Sequence, residues 1–283
     1  MQVIPDAGLD HPGLAPYRTL RRPWEHFRQR LFIAEGGTVV ERLLRAPPDA
    51  GLVLRSMLLC PEWFARLEPL LRARSEDFAV YILERRLAQQ LVGFNWHQGA
   101  LALAQCPPEP RLEDLPARAK GNGVLLVALD GLSQAENVGL IARSCAALGA
   151  HGLLAGETAC SPYLRRAVRN SLGGVFRLPC LHPENLAEAL LRLREQHGFR
   201  LIAADPHGPL ALADYRFPPR VCLAVGQEHD GLSEAVKAAC QDFVAIPMAN
   251  QMDSLNVAAA AAVFLHEYRR QHPWGLSPSG TGA

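Results

Sequence analysis

The chain has 283 residues, 49% hydrophobic and 20% charged, with a formal net charge of +1. That length predicts two domains, and no apolar run approaches the roughly 20 residues that a membrane-spanning helix needs. The charge lacks the strongly basic balance that marks nucleic-acid binding by electrostatics alone, which leaves RNA binding open.

Residues 1–20 are rich in Pro and Gly and are expected to form a poorly ordered leader. Its opening, MQVIPDAGLDHPGLAP, lacks the basic start and apolar core of a signal peptide, so a cytoplasmic location is expected. From Trp24 to Ala104 helical and strand-like stretches alternate. Glu25–Arg30 leads into LFIAEGGTVVERLLRA, where Val39, Val40, Leu43 and Leu44 recur at helical spacing. GLVLRSMLLC reads as a strand, PEWFARLEPLLRA as a helix with Pro61 near its start, and FAVYIL as a strand. A short helix and the strand GALALAQ close this part. The breaker-rich stretch 106–123 is predicted to be an interdomain linker.

Strands and helices then alternate: VLLVALD with VGLIARSCAALG, HGLLA with PYLRRAVRNSLG, VFRLPC with NLAEALLRLREQ. RLIAAD, VCLAVG and FVAIP complete the strands, NVAAAAAVFLHEYRR is the last helix, and 273–283 is expected to be a loose tail. Short apolar strands between helices predict an α/β fold with a parallel sheet covered on both faces. Ligands of such sheets sit at the carboxyl ends of strands, so three loops carry the interest.

The first loop is DGLSQAEN, in which Asn137 is placed to cap the helix carrying Arg143. The same pair also reads as a plain cap and a solvated surface charge. The second is GQEHDGLS, in which Gly226 and Gly231 bracket the carboxylate of Glu228 and permit close backbone approach. It is no dinucleotide fingerprint, since neither GxGxxG nor GxxxxGK[ST] occurs in the chain. The third is IPMANQMDSLN, where Ser254 and Asn256 stand beside the start of an alanine-rich helix, able to cap it or to address a ligand. Seven dispersed cysteines without a CxxC pair or a Cys/His cluster read as reduced thiols and give no metal site. Only two of the 29 basic residues, Lys120 and Lys237, are lysines. An arginine bias suits phosphate contacts but also follows from a G+C-rich genome.

Taken together, N137-V-G-L-I-A-R143, G226-Q-E-H-D-G-L-S233 and I246-P-M followed by S254-L-N-V257 resemble, in order and spacing, the three motifs of the SpoU/TrmH family in the SPOUT superfamily. AVRNSLGGVFRLP, between the first two motifs, resembles the family as well. FIAEGGTVVERLL and GFNWHQGALALAQ resemble the ribosomal-protein-like domain that precedes the catalytic domain in many members.

The resemblance implies a small α/β RNA substrate-binding domain over 21–105 and a SpoU-type methyltransferase domain over 124–272. The latter would be a SPOUT-type parallel sheet with a deep trefoil knot. It implies an S-adenosylmethionine-dependent methyltransferase acting on a ribose 2′-hydroxyl of tRNA or rRNA, as a homodimer joined through the C-terminal domain. Gly226, Ile246 and Leu255 match cofactor-binding positions, and Asn137, Arg143, Glu228, Ser254 and Asn256 match active-site positions. The family often has Gly where Asn250 stands and Ser where Ala258 stands. Two other readings are a nucleotide- or NAD-dependent α/β enzyme, disfavoured by the missing phosphate-binding loop, and a catalytically silent RNA- or ribosome-binding protein of the same fold.

Overall fold

The computed structural model describes residues 1–20, 26, 28–116, 123–250 and 252–273. The opening of the alternating stretch at Trp24–Glu25, most of the C-terminal tail and the 117–122 part of the expected linker lie outside them. The chain divides into two units, one of Met1–Pro108 with Pro162–Arg177, the other of Glu109–Ser161 with everything from Leu178 onward. Among the described residues no helix is long and apolar enough to cross a membrane.

The first unit is built on a mixed five-stranded sheet of β1 (Gln2–Pro5), β2 (Leu31–Glu35), β3 (Val53–Leu59), β4 (Ala79–Ile82) and β5 (Ala100–Gln105). The strand order is β1-β4-β3-β5-β2, with β5 antiparallel to both of its neighbours. Among the described residues its helices are α1 (Ala15–Arg18), α2 (Gly37–Leu44), α3 (Pro61–Arg72) and α4 (Arg85–Val92). In α2 the expected residues Val39, Val40, Leu43 and Leu44 are all buried, forming one apolar stripe.

The expected disordered leader is corrected. Strand β1 pairs in parallel with β4, from Gln2 opposite Ala79 to Pro5 opposite Ile82. Leu14 and Tyr17 are fully buried, and the Tyr17 hydroxyl shares a 2.8 Å hydrogen bond with Ser56. The Pro and Gly residues that suggested disorder make turns that carry this apolar cargo inward. At Gly13 a Cβ would fall 1.8 Å from the Tyr81 hydroxyl, so a larger residue there would have to displace the Tyr81 side chain.

The second unit holds a parallel seven-stranded sheet in the order β10-β12-β9-β11-β6-β7-β8. Its strands are β6 (Val124–Leu129), β7 (Gly152–Ala155), β8 (Cys180–Leu181), β9 (Arg200–Ala204), β10 (Leu210–Ala211), β11 (Arg220–Val225) and β12 (Asp242–Ala245). All six residues of β6 are buried, as is β11 beyond Arg220, which is the pattern of strands covered on both faces. Among the described residues the helices of this unit are α5 (Ala135–Leu148), α7 (Leu186–His197), α8 (Glu234–Ala239) and α9 (Val257–Gln271), while α6 (Arg165–Asn170) belongs to the first unit and packs on β2. Helix α9 packs along α5, and Arg269 donates to the carbonyl of Leu148, which ends α5, at 3.0 Å and to that of Gly149 just after it at 2.7 Å.

Three details depart from the sequence reading. VFRLPC is not one strand: Gly174–Arg177 forms a 3-10 turn and only Cys180–Leu181 pairs. Leu112 and Leu115, inside the expected linker, are buried in the core beneath β6 and α7. The stretch Pro162–Arg177 groups with the first unit because its contacts lie there. Phe32 packs against Tyr163 and Phe176 at ring distances of 5.4 and 5.6 Å, and Arg42 donates to the Leu172 carbonyl at 2.6 Å. Glu35, 3% exposed, accepts from Arg165 and lies 3.6 Å from Arg169. A carboxylate that deep requires such cations beside it.

What positions a site in the second unit is the strand order. The chain leaves β11 on one side of β9 and returns as β12 on the other, so β9, β11 and β12 end together at a switch point.

Candidate functional site

The loop after β6 turns at Gly131, whose φ is +69°. The buried carboxylate of Asp130, just before it, accepts the backbone N–H of Ser233 at 2.6 Å and ties this loop to the one after β11. Helix α5 is entered through Gln134, so Asn137 lies in its first turn and is not its cap. The expected capping role is corrected: the Asn137 side chain, 6% exposed, is left to address the second loop.

That second loop folds back on itself. Gln227 and Gly231 exchange backbone hydrogen bonds of 3.1 and 3.0 Å, and Gly231 takes a φ of +67°. A Cβ on Gly226 would sit 2.2 Å from the Gly231 carbonyl group, so the loop's own backbone demands glycine there. This closure presents Glu228, whose Oε1 accepts from Asn137 Nδ2 and from Asn256 Nδ2, both at 2.8 Å. Gln134, which the sequence reading does not single out, reaches Glu228 Oε2 and Asn137 at 3.4 Å, long enough to be weak.

The third loop passes through Asn250 at a φ of +56°, the conformation that its glycine-like position requires and that Asn tolerates. Gln251 lies outside the described residues. Asn256 then caps α9, its Oδ1 accepting from the N–H groups of Ala258 and Ala259 at 3.0 and 3.3 Å. With Oδ1 held by the helix, Nδ2 is aimed at Glu228.

Two hollows flank this wall of amides and carboxylate. One is a cleft of about 360 Å³ at the ends of β9, β11 and β12. It contains Gly226, Glu228, Ile246, Ser254 and Leu255 of the expected site, and its apolar lining includes Val225, Val257 and Phe264. The other is an open groove between α5 and α9, lined by Arg143, Leu140, Ser144 and Asn256. Asn137, Glu228 and Asn256 are thus in mutual contact, whereas Arg143 stands apart from them. Its side chain is exposed and hydrogen-bonds to none of the described residues.

The cleft also takes in Asp205, Pro206 and His207 from the end of β9, and Lys237 from α8. Sequence reading passes over these; the one available signal is that RLIAAD ends a strand of a parallel sheet. Cys240, behind the loop, is no nucleophile: burial, helped by the nearby Asp130 charge, pushes its thiol up to about 12. Among the described residues no group of three or more His, Cys, Asp or Glu side chains is placed to hold a metal ion.

With this geometry the chain can be compared with known proteins. The profile of the SpoU rRNA Methylase family matches residues 124–266. An uncharacterized tRNA/rRNA methyltransferase of Mycobacterium tuberculosis is 38% identical over 266 residues, spanning 92% of this chain and 81% of the relative. The SpoU methyltransferase AviRb of Streptomyces viridochromogenes, solved in complex with the cofactor AdoMet, is 26% identical. It aligns with a TM-score of 0.77 over 93% of this chain and 98% of its own. A structure described as an RNA 2′-O ribose methyltransferase is 31% identical, with a TM-score of 0.73 over 96% and 99% of the two chains.

Proposed function

The chain belongs to the SpoU rRNA methylase family of S-adenosylmethionine-dependent tRNA/rRNA methyltransferases, and from that premise we propose that its acceptor is a ribose 2′-hydroxyl. The observation that carries the reading is the wall formed by Asn137, Glu228 and Asn256, with the cleft on one side and the arginine-bearing groove on the other. A group-transfer enzyme needs its two reactants brought into contact beside one small set of polar groups that orients them.

The cleft fits S-adenosylmethionine. Its volume of about 360 Å³ lies within the range of small-ligand pockets. Apolar side chains from Ile246, Leu255 and Phe264 suit an adenine ring, and the Gly226 loop brings backbone groups within reach. The carboxylates of Glu228 and Asp230 would offset the positive charge of a sulfonium. Gly226, Ile246 and Leu255 would hold the cofactor, which when bound supplies an electrophilic methyl group.

The acceptor then enters from the groove. Arg143 presents a planar fork of donors that suits an RNA phosphate, and it grips the phosphate next to the reacting ribose. With the phosphate so held, the ribose would lie against Asn137, Glu228 and Asn256, and the proton of its 2′-hydroxyl would pass to that phosphate or to water. Asn137, Glu228 and Asn256 orient the ribose, and Ser254 shapes the mouth of the cleft. The reading extends to an RNA-binding role for the N-terminal residues 21–105, a trefoil knot in the chain that carries β12 and α9, and a homodimer in the cytoplasm. The dimer is supported by exposed Leu140 and Val263 beside the small residues Ala258 and Ala259 along α5 and α9.

The test is methyl transfer from labelled S-adenosylmethionine onto unmodified tRNA and rRNA, followed by mass analysis of the nucleosides. A 2′-O-methyl nucleoside is expected. Methyl groups found only on a base would overturn the ribose assignment, and no transfer to either RNA would favour a silent RNA binder. Light scattering of the intact protein tests the dimer, for which a monomer at micromolar concentration is the contrary result.

A further inference from the structure

Asp205 ends β9 and lines the cleft, yet it belongs to none of the three motif loops. Its surroundings are built to hold it still. Its Oδ1 accepts the N–H of His207 at 2.8 Å, and its backbone carbonyl accepts the N–H of Gly208 at 3.0 Å. The turn is also pressed against β12: a Cβ on Gly208 would lie 2.6 Å from the carbonyl group of Phe243 and 2.8 Å from the nitrogen of Val244. Side chain and turn are therefore fixed before any ligand arrives. The other carboxylate oxygen, Oδ2, has no hydrogen bond among the described residues.

We propose that Asp205 is a cofactor-binding residue whose free oxygen accepts hydrogen bonds from the vicinal hydroxyls of the cofactor's ribose. This rests on the methyltransferase reading given above. An oriented carboxylate with an unused oxygen in a cleft is a strong acceptor for hydroxyl donors, and fixing it beforehand removes the ordering cost of binding. The donor could also be the ammonium of the methionyl end. Lys237 argues against that: it lines the same cleft, paired with Glu234 at 2.9 Å, so an ammonium already stands there and a neutral diol adds no second one.

The test is calorimetry on the full-length chain with two probes, S-adenosylhomocysteine and 5′-methylthioadenosine. The second keeps the ribose and lacks the amino acid. Asp205→Asn retains an oxygen for the His207 N–H, so the turn survives and the thermal midpoint should match that of the parent. Both probes should bind the variant more weakly, by about tenfold and by similar factors. Unchanged affinity for both overturns the proposal. Weakening confined to S-adenosylhomocysteine overturns it too, by assigning Asp205 to the ammonium. Failure of the parent protein to bind either probe strikes instead at the methyltransferase reading.

Discussion

The side-chain amide of Asn256 donates to Asn137 Oδ1 at 3.1 Å, joining the first and third loops across 119 residues of chain. Because Glu228 Oε1 accepts from both asparagines, the three loops share one hydrogen-bonded knot of side chains. Such a network resists single substitutions unevenly, since its members are bonded to different degrees.

Glu228→Gln keeps an oxygen for the two amides, and Glu228→Ala removes it. The alanine variant should lose about 1–2 kcal/mol of stability, because the Nδ2 donor of buried Asn137 is left with only the long contact to Gln134. The glutamine variant should unfold close to the parent. Single-turnover methyl transfer should fall by about tenfold or more in both. Denaturant titration beside rate measurements separates these effects, and parental values for the alanine variant in both assays would show that the network is idle.

Arg143 is exposed and unattached to the described residues, so its replacement should leave folding within about 0.5 kcal/mol of the parent. If it grips a phosphate through two donors, Arg143→Lys should still cost about a hundredfold in single-turnover rate. Cofactor affinity should stay within about threefold, as expected when a transition-state interaction is lost. Near-normal transfer by the lysine variant would remove Arg143 from the catalytic residues.

Gly226→Ala tests the closed loop. The added methyl would lie 2.2 Å from the Gly231 carbonyl group, which cannot yield without opening the Gln227–Gly231 bridge. Stability should drop by about 1–3 kcal/mol, and S-adenosylhomocysteine binding should weaken by about tenfold or more. Retained affinity would mean that the cleft does not depend on this closure.

Asp242 predicts a pH dependence away from the site. Both its oxygens accept from Arg200, at 2.6 and 2.7 Å, and Tyr215 donates to one of them at 2.5 Å. The guanidinium hydrogen bonds hold the carboxyl below its usual value of 3.8, with Tyr215 adding to the effect. A depressed carboxylate stabilises the fold above its unfolded value, and this contribution is lost as pH falls through the folded one. Asp242→Asn should therefore cost about 2 kcal/mol at pH 7 and less below about pH 4. Urea titrations at both pH values check this; an equal loss at each would exclude the charge as the cause.

Much of the second unit was legible because its information is local. The apolar strands and the helix periodicity of Val138–Leu148 can be read directly, and the turn chemistry of Gly226 and Asn250 is local as well. What was hidden depends on partners distant in sequence. Strand β1 is unremarkable until β4 supplies its ladder, and Pro162–Arg177 reads like any helix of an alternating fold until Glu35 and Phe32 draw it into the first unit. The convergence of Asn137, Glu228 and Asn256 was reached through family likeness, since spacing alone left Asn137 as a helix cap. Asp205 escaped notice because nothing beside it in sequence shows that its strand lies between β11 and β12.

The position of β9 bears on how the chain is made. Both strands that flank it, β11 and β12, are encoded downstream. During synthesis, which proceeds at about 5–20 residues per second, β9 leaves the ribosome seconds before either partner exists. Over that interval its apolar backbone has two open edges, the condition under which strands pair with the wrong neighbour. The organisation that gathers three strand ends into one cleft therefore gives the newborn polypeptide a waiting period, during which a chaperone or ribosome-bound factor that shields residues 200–204 would raise the yield of folded protein.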